Sequence, residues 1–208
     1  MLLYDYFRSS AAFRVRIALN IKGLAADRRY IHLRKGDQRK PEYLAENPQG
    51  LVPTLVVGER RLTQSMAIVE YLDERHPLPP LLPQGPEDRA WVRSIALAIA
   101  CDIHPLNNVG PLRHLKNELG QDQSKIDGWY HHWVAEGFDA LEALIEPAPY
   151  AFGSQVTLAD LCLVPQVYNA RRLKVPLERF PKVVAVDAAC AKLAAFEQAR
   201  PENQLDAE

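Results

Sequence analysis

Between His76 and Pro86 the chain reads HPLPPLLPQGP, five prolines in eleven residues. Each proline fixes φ and removes a backbone donor, so neither a helix nor a central strand runs through this stretch. The chain is expected to divide here, with 76–86 as a linker, and the two sides differ in texture. Before it, MLLYDYF is a short apolar and aromatic strand candidate, AAFRVRIALNIKG is helical in pattern and ends at Gly23, and RRYIHLR alternates as a second strand. LVPTLVVGERRLTQS gives two more strands around a turn at Gly58 and Glu59, and SMAIVEYLDERH places Ile68, Val69 and Leu72 on one helical face. The order β-α-β-(short helix)-β-β-α makes residues 1–80 an α/β domain. Beyond the linker, apolar residues recur at helical spacing through Glu87–Ala100, Lys125–Ile145, Leu158–Leu173 and Lys182–Ala199, so 87–208 is expected to be all helical. Thr157-Leu-Ala-Asp160 reads as a capping box, Pro181 suits a first helical turn, Pro165 is expected to kink its helix, and the polar tail PENQLDAE is expected to be loosely ordered.

Composition narrows the function classes. The chain has 208 residues, 48% of them hydrophobic, enough to bury a real core. Its 25 Lys and Arg against 26 Asp and Glu leave a net charge of −1, which argues against a strongly basic nucleic-acid binder or a polybasic membrane surface. Every apolar run meets a charge before the roughly 20 residues that span a bilayer, and no leader pattern opens the chain. Cys101, Cys162 and Cys190 are far apart and form neither a CxxC pair nor a zinc spacing, so they read as packing thiols of a cytoplasmic protein. The six histidines show no HxxxH or HExxH pattern, and no metal is expected.

Several short segments carry a structural and a functional reading side by side. Pro53 opens an apolar strand; Val52–Pro53 is then either an edge-strand start or a cis peptide that turns the Val52 backbone outward for an extended ligand. Gln64-Ser65 precedes a helix, where Ser65 is both a cap and part of an anion site. Arg8-Ser9-Ser10 lies between the first strand and first helix; its hydroxyls cap, or donate to a bound anion. Arg171-Arg172, near Lys174, suits a helix C-terminus, and His104 in CDIHPLNN is a structural histidine or a pocket donor.

The same residues carry a family resemblance. The run Tyr6-Phe-Arg-Ser-Ser-Ala-Ala-Phe-Arg-Val-Arg-Ile-Ala-Leu19 resembles the zeta-class glutathione transferase signature S-S-C-S/X-X-R-V-R-I-A-L, and Asp160-Leu-Cys-Leu-Val-Pro-Gln-Val with Asn169-Ala-Arg-Arg resembles the zeta second half. The resemblance implies a thioredoxin-like first domain and an all-helical second one. It also implies glutathione as cofactor for cis–trans isomerisation of a maleyl keto acid, maleylacetoacetate first and maleylpyruvate as the alternative. Conjugation of apolar electrophiles, as in a general transferase, is the other enzymatic alternative, and a binding module without activity is the non-enzymatic one.

Carried over by position, Gln64 and Ser65 meet the γ-glutamyl end of glutathione, Val52 before a cis Pro53 its cysteinyl backbone, and Gln38 its glycyl part. Ser9 holds the sulfur with Ser10 beside it, and His104 and Asn108 also reach the cofactor. Arg8 and Arg172 are assigned to the carboxylates of a small dicarboxylate-like substrate. Ala11 stands where zeta members carry cysteine, and His104 where many carry glutamine, a feature closer to the maleylpyruvate isomerases. By the same resemblance the protein is expected to be a homodimer that pairs through Ser65–Asp73 and Glu87–Ala100.

Overall fold

The computed structural model describes residues 1–208. The chain forms two compact units, one of Met1–Leu81 with Ala191–Glu208 and one of Leu82–Cys190.

In the first unit β1 (Leu2–Asp5), α1 (Ser10–Ile21), β2 (Asp27–Tyr30), α2 (Pro41–Leu44), β3 (Thr54–Val57), β4 (Arg60–Thr63) and α3 (Ser65–Arg75) follow in the expected order. The sheet runs β2-β1-β3-β4, with β1 and β2 parallel and the other pairs antiparallel. Register sets Leu3 opposite Leu55, and directly opposed residues share a face of the sheet. On that face the core gains Val15, Ile17 and Leu19 from α1 and Ile68 and Leu72 from α3, none more than 1% exposed. β2 stops at Tyr30, short of the alternation in RRYIHLR, because His32 caps a tight turn by accepting from the Lys35 N–H.

The second unit is built from α4 (Pro86–Leu97), α5 (Val109–Asn117), α6 (Gln123–Leu144), α7 (Leu158–Arg172) and α8 (Pro181–Cys190). α4 passes directly into a π-helical segment, Ala98–Ile103. The bulge is accommodated by Gly137 of α6, where an added Cβ would lie 2.3 Å from both Cγ1 and Cδ1 of Ile103. α7 is buried on all sides, with Leu158 to Leu163, Val167 and Ala170 at most 1% exposed. The capping box at its start is present: buried Asp160 accepts from the Thr157 N–H at 2.7 Å, and also from the Ala151 N–H at 2.8 Å. Pro165 lies inside α7, which continues to Arg172, and Pro181 opens α8.

Some expectations need correction. α5, and the two-residue parallel pair β5 (Glu146–Pro147) and β6 (Phe152–Gly153), have no counterpart in the pattern reading. The helix expected over Lys182–Ala199 is two, α8 and α9 (Ala194–Ala199). The helical domain expected over 87–208 loses its last stretch, since Ala191–Glu208 belongs to the first unit. The reason is a set of polar ties from α9 and the tail: Ala195 and Ala199 carbonyls accept from Asn20 and Arg16, both at 2.9 Å. Asp206 accepts from the Phe7 N–H at 3.0 Å and Glu208 pairs with His32 at 2.6 Å, so the tail is anchored rather than loose. Cys101 is exposed, unlike the buried Cys162 and Cys190. No helix is long and apolar enough to cross a membrane.

Candidate active site

The first unit presents one cluster of sequence-predicted residues, and it begins where β1 ends. Asp5, fully buried, accepts from the Tyr6 N–H and from Arg16, each at 2.8 Å, and from Arg28 at 2.6 Å. Arg16 is also fully buried, and its Nη2 donates to the Phe7 carbonyl at 2.9 Å. Burial pulls the Arg16 guanidinium below its ordinary pKa while the Asp5 carboxylate opposes that shift. These ties fix the Tyr6–Phe7 turn, so that the Ser9 N–H reaches the Tyr6 carbonyl at 2.9 Å and Ser9 becomes the N-cap of α1.

Ser9 Oγ accepts from the Ala12 N–H at 3.2 Å, which leaves its own proton available to another acceptor. α1 has no acidic residue in its first turn, so the positive end of the helix dipole at Ser9 and Ser10 is uncompensated. Ser10 is the buried first residue of the helix. Arg8 is half-buried, with its guanidinium 4.7 Å from the centroid of the Phe7 ring.

Val52–Pro53 is a cis peptide just before β3, and β3 is an inner strand of the sheet rather than an edge. The segment is clamped from below. Asn47 Nδ2 and the Tyr43 hydroxyl both donate to the Leu51 carbonyl, and Asn47 reaches Thr54 Oγ1 at 3.1 Å. Gly50, at φ 62°, allows the close approach of the Gln38 carbonyl, 2.8 Å from where a Cβ would stand. Gln38 itself is 6% exposed; its Nε2 donates to the Leu33 carbonyl at 3.2 Å, and its Oε1 is buried without a protein partner.

Gln64 sits at φ 67°, a left-handed value unusual for a residue with a side chain, and its Nε2 donates to Gln49 Oε1 at 3.1 Å. Ser65 then opens α3, another helix with no acid in its first turn. Ser65 Oγ accepts from Nη1 of Arg14 at 3.2 Å, and both residues are buried. Arg14 was not among the sequence candidates, nor were Asn47 and Tyr43.

Three candidates belong to the second unit. His104 follows the π-helical segment, and its N–H donates to the Ile99 carbonyl at 2.9 Å, the wider spacing of that segment. Asn108 caps α5, its Oδ1 accepting from the Val109 N–H at 2.8 Å. Arg171 and Arg172 close α7 but diverge: Arg171 pairs with Asp187 at 3.0 Å, while Arg172 reaches only Asn169 Oδ1 at 3.4 Å and is exposed. The Arg172 charge acts on buried Tyr130, whose phenol burial pushes up to about 12.

Comparison with known proteins places these features in a family. Residues 1–74 match the family described as glutathione S-transferase, N-terminal domain, and residues 134–198 the one described as glutathione S-transferase, C-terminal domain. A probable maleylacetoacetate isomerase of Vibrio cholerae is 46% identical over 100% of this chain and 98% of its own. A holo structure of maleyl pyruvate isomerase, described as a bacterial glutathione S-transferase of zeta class, superposes with a TM-score of 0.98 at 45% identity, covering 100% of both chains. The maleylacetoacetate isomerase of Methylobacterium extorquens, solved with malonate and glutathione bound, gives a TM-score of 0.96 at 37% identity, again covering 100% of both chains. Thioredoxin-like sheet, helical second unit and full-length relatives agree, and the chain belongs to the zeta class of the glutathione S-transferase family.

Proposed function

We propose that this protein is a glutathione-dependent cis–trans isomerase of a maleyl keto acid, most directly maleylacetoacetate. The observation that carries the reading is Ser9, a hydroxyl with its proton uncommitted at the N-terminus of a helix that has no acid in its first turn. The residues fit glutathione at both ends of the cluster: Ser65 and the start of α3 suit a carboxylate, and the Val52 backbone before cis-Pro53 suits an extended peptide. Relatives named for this reaction span the full chain.

When bound, glutathione supplies a thiolate whose reversible addition to the cis double bond lets that bond rotate before elimination. Ser9 donates a hydrogen bond that favours the ionised sulfur, assisted by the α1 dipole and by Ser10 beside it. Arg8 and Arg172 receive the two carboxylates of the substrate, each through a planar fork that suits two parallel hydrogen bonds. As charge moves onto the conjugated carbonyl during reaction, those fixed cations bind it more strongly, which is where rate is gained. Gln38 and Gln64 orient the two ends of the cofactor, and His104 and Asn108 complete its surroundings. Ala11 contributes no thiol, so the chemistry rests on the hydroxyls of Ser9 and Ser10.

The reading includes a cytoplasmic homodimer, which rests on membership of the glutathione S-transferase family. The test is the loss of ultraviolet absorbance of freshly made maleylacetoacetate and maleylpyruvate, each with and without glutathione, beside sedimentation to count protomers. Isomerisation of either only when glutathione is present is the expected outcome and names the substrate. Turnover of uncharged electrophiles alone would make the protein a general transferase.

A further inference from the structure

Helix α1 carries two buried arginines two residues apart, and their surroundings are opposite. Arg16 is saturated: it pairs with the Asp5 carboxylate and donates to the Ala199 and Phe7 carbonyls. Arg14, 2% exposed, has a single hydrogen bond, from Nη1 to Ser65 Oγ at 3.2 Å. Its Nε and Nη2 are buried with no partner. A guanidinium taken out of water is costly unless a counter-charge and acceptors replace the water, and here only one neutral hydroxyl does so. The missing counter-charge has one evident place to arrive. Ser65 is the first residue of α3, an eleven-residue helix whose first turn holds no acid, and its hydroxyl, already accepting from Arg14, has its one proton left for an acceptor beyond.

We propose that Arg14 is a positioning residue for the α-carboxylate of the γ-glutamyl group: it fixes the Ser65 hydroxyl in the donating orientation and supplies the charge that the carboxylate neutralises. This rests on the glutathione reading and adds the residue that sets carboxylate affinity without touching the ligand. The cost of holding Arg14 without a counter-charge falls on the ligand-free protein and is relieved on binding, so affinity and ligand-free stability are coupled with opposite sign.

The test compares wild type with Arg14→Met, which keeps volume but not charge, Arg14→Lys, which keeps charge, and Ser65→Ala. Two probes are titrated calorimetrically, glutathione and γ-aminobutyryl-cysteinylglycine, which differs from it only by lacking the α-carboxylate. Arg14→Met is expected to unfold no lower than wild type when ligand-free, and to bind glutathione about ten- to a hundredfold more weakly, the span of a lost charge-assisted bond. It should bind the decarboxylated probe like wild type. Arg14→Lys should recover part of the glutathione affinity, and adding Ser65→Ala to Arg14→Met should cost less than Ser65→Ala alone. Wild-type binding of glutathione with no loss in Arg14→Met, or equal loss for both probes, overturns the assignment. Should Arg14→Met fail to fold, Arg14→Lys decides in its place: affinity for both probes reduced alike in Arg14→Lys overturns it too. Wild type that binds neither probe instead removes the glutathione reading itself.

Discussion

Helix α6 contains two glycines, and replacing each with alanine is expected to move stability in opposite directions. In a helix interior alanine is favoured over glycine by about 1 kcal/mol. A Cβ on Gly128 meets nothing within 4 Å, so Gly128→Ala should realise most of that gain. A Cβ on Gly137 would lie 2.3 Å from Cγ1 and Cδ1 of Ile103, whereas carbon atoms settle about 3.5–4.0 Å apart, so something must move by about 1.2 Å. Ile103 has little freedom, being 1% exposed at the end of the π-helical segment. Forcing such a contact costs about 1–3 kcal/mol, and after the propensity gain Gly137→Ala should be destabilised by about 0–2 kcal/mol. The separation between the two variants is therefore about 1–3 kcal/mol. Urea unfolding followed by tryptophan fluorescence reads it directly, because Trp91, Trp129 and Trp133 all lie in the second unit. In an Ile103→Ala background the Gly137→Ala penalty should vanish, since the clashing atoms are gone. A Gly137→Ala variant as stabilised as Gly128→Ala would refute the packing argument.

Arg16→Met should cost about 3–5 kcal/mol by leaving Asp5 buried with one partner fewer, and amide exchange at Tyr6 and Phe7 should accelerate as their turn loosens. Tyr130 links stability to alkaline pH. Burial raises its folded value to about 12, so the unfolded phenol ionises first, near its ordinary pKa of about 10. That contribution is complete below pH of about 10 and is lost as pH rises through about 12; Tyr130→Phe should flatten the stability profile in this window. Ser9→Ala removes the α1 cap, worth about 1 kcal/mol in thermal unfolding, and should lower isomerase kcat about a hundredfold, with Ser9→Thr restoring much of both.

The order of elements before the linker was legible because alternation and helical spacing there are clean, and the capping box at Thr157 because its two residues act locally. α5 was hidden by Gly110 and Pro111, which read as a loop although proline is tolerated in a first turn. The π-helical segment left no trace because the glycine that makes room for it, Gly137, lies far along the chain. The Lys182–Ala199 pattern ran on through alanines that favour helix, and the break at residues 191–193 reflects a change of packing partner rather than a local breaker. At the site, the serines and Val52–Pro53 were visible as residue types in place. Arg14 was not, because its meaning lies in what fails to surround it: an arginine two residues from Arg16 looks the same in a helical pattern whether it is saturated or nearly alone.

The return of residues 191–208 to the first unit also fixes an order of events during synthesis. β1 and α1 emerge before the second unit, yet the carbonyl of Ala199 that Arg16 needs, and the carboxylate of Asp206 that holds Phe7, emerge only after that whole unit has been made. A nascent chain carrying the serine loop therefore waits, with a buried-type arginine still short of acceptors, until residues 199–206 have been made. The helical unit, contiguous from Leu82 to Cys190, has no such wait and is free to form while the ribosome is still at work. The serine loop is thus secured later than the helical unit, although its residues are made before that unit.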